Sequence, residues 1–166
     1  MKKNNSGITL LVLVITIIVL IIIASISIYE GKELISKSKV QTLETNMLTI
    51  QAKAKAYAEE IDAKIWTESD KDTARDTAFS DKGFNNPSSN IDSKYVSINT
   101  NNYIAYDITE QALINMGLND IKDETYMVIY DKNDYKKMDI IYPDGVSYKK
   151  TTYYTLSEIQ KALSDD

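Results

Sequence analysis

The strongest pattern in the chain comes at its start. From Ile8 to Ile28 there are 21 residues without a charge, and only Thr9, Thr16, Ser25 and Ser27 are polar. As an α-helix this run is roughly 31 Å long, against about 30 Å for a bilayer core. A soluble domain of this size cannot surround so long an apolar run, so the pattern predicts a spanning helix rather than a buried core helix. Lys2 and Lys3 precede it with no acid among them. The positive-inside rule then keeps the first residues cytoplasmic and sends the rest of the chain across.

A second periodicity begins beyond the apolar run. Val40, Leu43, Met47, Ile50, Ala54, Tyr57 and Ile61 are spaced 3, 4, 3, 4, 3, 4, which puts all seven on one helical stripe. Lys39, Glu44, Lys53, Lys55 and Glu59 lie away from it. Gly31 interrupts the helical pattern, but no proline occurs before Pro87. The spacing predicts an amphipathic continuation over 29–66, ending near Trp66. Such a stripe fits a coiled coil with a like chain or docking on this chain's own sheet. Docking is favoured, because the C-terminal part offers strands that need a cover.

Residues 67–102 are polar, centred on Asn85-Asn86-Pro87-Ser88-Ser89-Asn90, and read as a connecting loop. The stretch is longer than ordinary connections, which leaves room for short structure or a partner-facing surface. A compact region follows over 103–166. Tyr103–Asp107, Thr125–Tyr130 and Lys137–Tyr142 read as strands, with a turn at Asp131–Asp134 and a second at Pro143-Asp144-Gly145. Val146–Lys149 and Thr152–Tyr154 suggest a further hairpin. Thr109 can cap a helix that Gly117 ends, and Thr155-Leu156-Ser157-Glu158 has capping-box spacing before a last helix. The expected fold class is α+β: a long N-terminal transmembrane and amphipathic helix packed on a small antiparallel β-sheet.

Composition narrows the function. The net charge is −5, and loss of Lys2 and Lys3 would take it to −7, which argues against a nucleic-acid face. The chain has no His and no Cys, which removes His-based triads, Cys nucleophiles, disulfides and most zinc sites. Carboxylates could serve a glycosidase, but no pair stands out from the scattered Asp and Glu, so an enzyme is not expected. Glu68-Ser69-Asp70-Lys71-Asp72 and Asp131-Lys132-Asn133-Asp134 offer oxygen ligands at short spacing. Each contains a lysine and lacks the glycine-bearing calcium loop, so both read as solvated turns, with no metal and no cofactor expected. The 12 tyrosines suit strands better than a ligand surface, and Trp66 reads as a packing anchor.

The most informative local motif is Ser6-Gly7-Ile8-Thr9-Leu10, with lysines before it and the apolar run directly after Gly7. An ordinary secretory signal is cut after its apolar region, whereas here a small residue sits at the boundary before it. This arrangement resembles the prepilin signal of type IV pilins and pseudopilins, in particular small Gram-positive ones that carry Gly-Ile-Thr-Leu before a Val/Ile-rich anchor. The resemblance covers residues 1 to about 62; beyond residue 103 it is one of architecture. It implies a leader over 1–7, an anchor over 8–28, cleavage by a membrane prepilin peptidase between Gly7 and Ile8, and N-methylation of Ile8. A cleft that needs close, extended backbone gives the glycine a physical reason. It also implies a structural, non-catalytic role, with other pilin or pseudopilin subunits, their assembly machine and membrane lipid as partners. The C-terminal region would lie outside the cell membrane, or in a surface filament used for adhesion, DNA uptake or secretion.

The sequence departs from the family at Val12, where a glutamate usually stands five residues after the cleavage glycine. That glutamate is held to neutralise the new N-terminal amine of a neighbouring subunit. Its absence points to a minor or accessory subunit. The anchor also lacks the Gly or Pro found in many major pilins. Two rival readings use the same residues. One is an uncleaved single-pass membrane protein with an extracellular binding domain. The other is a secreted domain cut by ordinary signal peptidase after Ser27, since Ser25-Ile26-Ser27 is small-x-small.

Overall fold

A computed structural model of the chain describes residues 6–65, 67, 69–95 and 102–165. The chain divides into two compact units, Met1–Lys39 and Val40–Asp166. Helix α1 runs from Ser6 to Lys64 and contributes to both. In α1, side-chain surroundings are described for Leu13–Ile22 and from Leu34 onward. Among the described residues no helix is long and apolar enough to cross a membrane; the two ends of the Ile8–Ile28 run lie outside that description.

The Val40–Asp166 unit is α+β. After α1 come α2 (Lys71–Asp81), β1 (Phe84–Ser88), β2 (Tyr103–Ile108), α3 (Glu110–Asn115), a short 3-10 turn, β3 (Tyr126–Asp131), β4 (Asp134–Tyr148), β5 (Thr151–Thr155) and α4 (Leu156–Ser164). The five strands form one antiparallel sheet in sequence order. Alternation along β3 assigns its two faces. Tyr126, Val128 and Tyr130 share a buried cluster with Val40, Leu43, Met47, Ile50, Ala54 and Ile61 of α1, and Ile129 belongs to a second cluster with Ile91, Ala105 and Ile141. Ala58 extends the buried stripe of α1, Ile65 just past its end joins the same cluster, and Tyr57 packs against it half-buried.

The polar stretch expected to be a connecting loop carries α2 and β1. Asp70 caps α2, accepting from the Thr73 amide at 3.1 Å and from its hydroxyl at 2.9 Å. The helix needs only one large apolar residue to dock: Phe79, which stacks among Phe84, Tyr106 and Tyr130 at ring separations of 5.1–5.7 Å. Pro143-Asp144-Gly145 makes no turn. It lies within β4, where the register against β5 jumps between Ile141 and Val146. Gly145 sits at φ +69°, and a Cβ there would come within 2.7 Å of Thr152 and Tyr154, so the residue permits a bulge rather than a reversal. The hairpin turn falls later, between Tyr148 and Thr151, with Lys149 and Lys150 both at positive φ.

The short helices end as their caps dictate. Thr109 accepts from the Ala112 amide at 3.2 Å to start α3. Gly117, at φ +83°, closes it with its own amide on the Ile114 carbonyl and the Leu118 amide on that of Leu113. At α4 the Glu158 amide donates to Thr155 Oγ1 at 3.3 Å, and the Thr155 amide donates to Glu158 Oε2 at 3.2 Å, which completes the capping box.

Candidate functional site

The first candidate is the apolar part of α1. The large apolar residues of Leu13–Ile22 are all between 46 and 64% exposed. They occupy every side of the helix, so no single packing face could bury them. A helix that is apolar all round belongs in a core or in lipid. The one polar side chain there, Thr16, donates its hydroxyl to the Leu13 carbonyl at 2.8 Å, so its polarity is satisfied within the helix itself. Positions 7, 8 and 12 fall in the helical backbone of α1, but the surroundings of Gly7, Ile8 and Val12 lie outside the described residues, as do residues 1–5 of the expected leader. Trp66 lies outside them as well.

The packing stripe is a second kind of site, one that attaches a helix to a sheet. Val40, Met47, Ile50 and Ala54 are fully buried, and Leu43 and Ile61 are nearly so. Gln51 adds a polar tie, donating from Nε2 to the Met138 carbonyl at 2.7 Å.

Around α2 lies a network that the sequence did not reveal. Arg75 donates from Nε and Nη2 to Asp62 Oδ1 at 3.2 and 3.0 Å. The Tyr106 hydroxyl donates to Asp76 and lies 3.3 Å from the Tyr130 hydroxyl. Burial pushes both phenols above their ordinary value. Glu60, held by hydrogen bonds from Lys64 and Lys82, is lowered to about 2. All these groups are committed to fastening α2 to α1 and to the sheet. The helix that carries them had a local signal in Asp70 three residues before Thr73; the pairings, 13 to 30 positions apart, had none.

A cavity of about 340 Å³ opens beside β4 and the start of α4, with Tyr95, Tyr103, Asp139, Ser157 and Glu158 among its lining. Its two carboxylates already have structural duties. Asp139 accepts from Ser157 Oγ at 2.5 Å, from the Ile140 amide at 2.8 Å and from the Ser157 amide at 3.3 Å. Burial raises its pKa, against the pull of those bonds. Glu158 closes the capping box and also accepts from the Tyr154 amide at 3.0 Å. Both carboxylates thus bind main-chain groups at the start of α4.

Among the described residues of the acidic runs singled out in the sequence, Asp70 caps α2, Asp72 lies in its first turn, and Asp131 and Asp134 end β3 and begin β4. Besides the cap made by Asp70, Asp131 accepts from the Asn133 amide at 2.9 Å, and Asp134 from the Lys136 amide at 3.2 Å. Among the described residues no three potential ligands gather around a common point that could hold a metal. Searches of family models, curated proteins and solved structures find no match to this chain.

Proposed function

We propose that this chain is a pilin-like structural subunit, anchored in the cell membrane by its first helix and carrying its sheet domain outside. The observation that carries the reading is the all-round exposed apolar surface of α1 from Leu13 to Ile22. It is supported by the lysine-flanked Gly7 at the start of the Ile8–Ile28 run. Lipid provides no hydrophobic drive between such helices, so they associate through shape and close contact. A prepilin peptidase would cut between Gly7 and Ile8 and leave Ile8 as a methylated N-terminus. The partners are membrane lipid, that peptidase, other pilin or pseudopilin subunits and the machine that assembles them.

The test is the mature N-terminus. In a host with an active prepilin peptidase, mass spectrometry of the membrane-extracted chain is expected to find Ile8 first. Gly7→Val is expected to abolish processing while leaving the chain in the membrane. An intact start at Met1 in that host would overturn the reading.

Val12 sets the rank of the subunit. A new ammonium at Ile8 is costly to bury unpaired, by at least a few kcal/mol. With Val12 this chain cannot supply the offsetting carboxylate to its own copies, so it serves as a minor or accessory subunit. Supplied as the only subunit to an assembly machine, it is expected to give no long filaments. Val12→Glu or a glutamate-bearing partner should restore them. Long filaments of the unchanged chain would show that the amine is neutralised in another way.

A further inference from the structure

The sheet has an incomplete edge in its interior. β5 covers β4 only from Ile141 to Tyr148, whereas β3 pairs with β4 as far as Met138 and again at Asp134. Among the described residues, Met138–Ile140 therefore has a strand on one side and none on the other. A bare strand edge is a template for another chain. Here main-chain groups are occupied by side chains instead. Gln51 of α1 donates to the Met138 carbonyl at 2.7 Å, and Asp139 accepts from the Ile140 amide at 2.8 Å. Just before them, Asp134 accepts from the Lys136 amide at 3.2 Å. Asp139 is itself held in place by the Ser157 hydroxyl and amide at the start of α4. The space beside this edge is open: Gln51, Lys136, Lys137, Met138, Asp139 and Ser157 all line the 340 Å³ cavity.

We propose that Gln51 and Asp139 hold shut a strand-pairing edge of β4, and that the partner this edge accepts when released is a second copy of this chain. The argument for a like copy is charge and symmetry. Antiparallel pairing of two such edges about a two-fold axis at Met138 puts Lys137 of each copy opposite Asp139 of the other, an opposite-charge cross-strand pair. Lys137 is available for this, since its side chain is 65% exposed and its contact with Asp134 is a long 3.7 Å. The guard differs from the usual proline or edge lysine because it comes from a distant element, α1. The Met138 carbonyl is therefore covered by Gln51 only while the helix is docked on the sheet.

The test uses the full chain in detergent micelles, with protein mass per particle measured by light scattering. Gln51→Leu and Gln51→Glu each remove the donated hydrogen bond, one without charge and one with it. Either is expected to raise the protein mass twofold relative to the unchanged chain at equal concentration. Adding Lys137→Glu sets two acids opposite each other and is expected to return the mass to that of the unchanged chain. Folding is followed in parallel by circular dichroism. Failure of both Gln51 variants to associate while folded would overturn the proposal, and so would association that Lys137→Glu leaves unchanged. Neither result depends on whether Gly7 is a cleavage site, so the outcome is separable from the functional reading.

Discussion

Replacing Ile50 or Met47 with Asp is expected to cost the Val40–Asp166 unit on the order of 3–5 kcal/mol, enough to unfold a domain of ordinary stability. Both positions are fully buried and share one cluster with Tyr126, Val128 and Ile140 of the sheet. The measurement is urea unfolding of a fragment beginning at Gly31, which should be a folded monomer before substitution. A helical dimer that depends on concentration, and that these substitutions merely dissociate, would mean that the stripe binds another chain. The same substitution at Thr45 or Ala52, exposed on α1, is expected to leave the midpoint almost unchanged.

Phe79→Ala is expected to destabilise the same unit by about 3–5 kcal/mol. Its ring is 1% exposed and touches three aromatic neighbours on β1, β2 and β3. Truncation empties the space between α2 and the sheet, and leaves Tyr106 and Tyr130 facing a void. The ion pair between Lys82 and Glu60 is a weaker fastening. Lys82 is 31% and Glu60 41% exposed, so solvent screens the pair and Lys82→Ala should scarcely move the unfolding midpoint. Comparing the two variants by denaturant titration separates the contributions. Equal losses would place the hold on α2 in its charges; a negligible loss for Phe79→Ala would place α2 outside the cooperative unit.

What the sequence made legible was whatever repeats or caps. The stripe from Val40 to Ile61 was visible because seven positions keep one period, and each of them is buried or half-buried. Thr109, Gly117 and the Thr155–Glu158 box were visible because cap chemistry is local. α2 and β1 were hidden because they are polar along most of their length. Both phenylalanines of the chain, Phe79 and Phe84, lie in this stretch, and two aromatic residues set no period. They dock through a few large contacts rather than a stripe. The Pro143-Asp144-Gly145 signal was misleading for a related reason. A glycine at positive φ serves a turn or a bulge equally well, and only the partner strand decides between them. At the candidate site, the duty of Asp139 depends on Ser157, 18 positions away, and no local pattern announces such a pairing.

The bond between Gln51 and Met138 joins residues 87 positions apart. The strands, by contrast, pair in sequence order, each with its neighbour in the chain. Sheet formation therefore needs only short loop closures, while docking of α1 needs the longest one. At a synthesis rate of about 5–20 residues per second, the ribosome takes about 4–17 s to travel from Gln51 to Met138. During that interval the helix has been made but its cover has not, so Val40, Met47 and Ile50 remain wet until β3 and β4 follow. The order of synthesis thus runs opposite to the order of need. The newborn chain is most prone to aggregate in those seconds, and a factor that shields an amphipathic helix would have its largest effect on yield then.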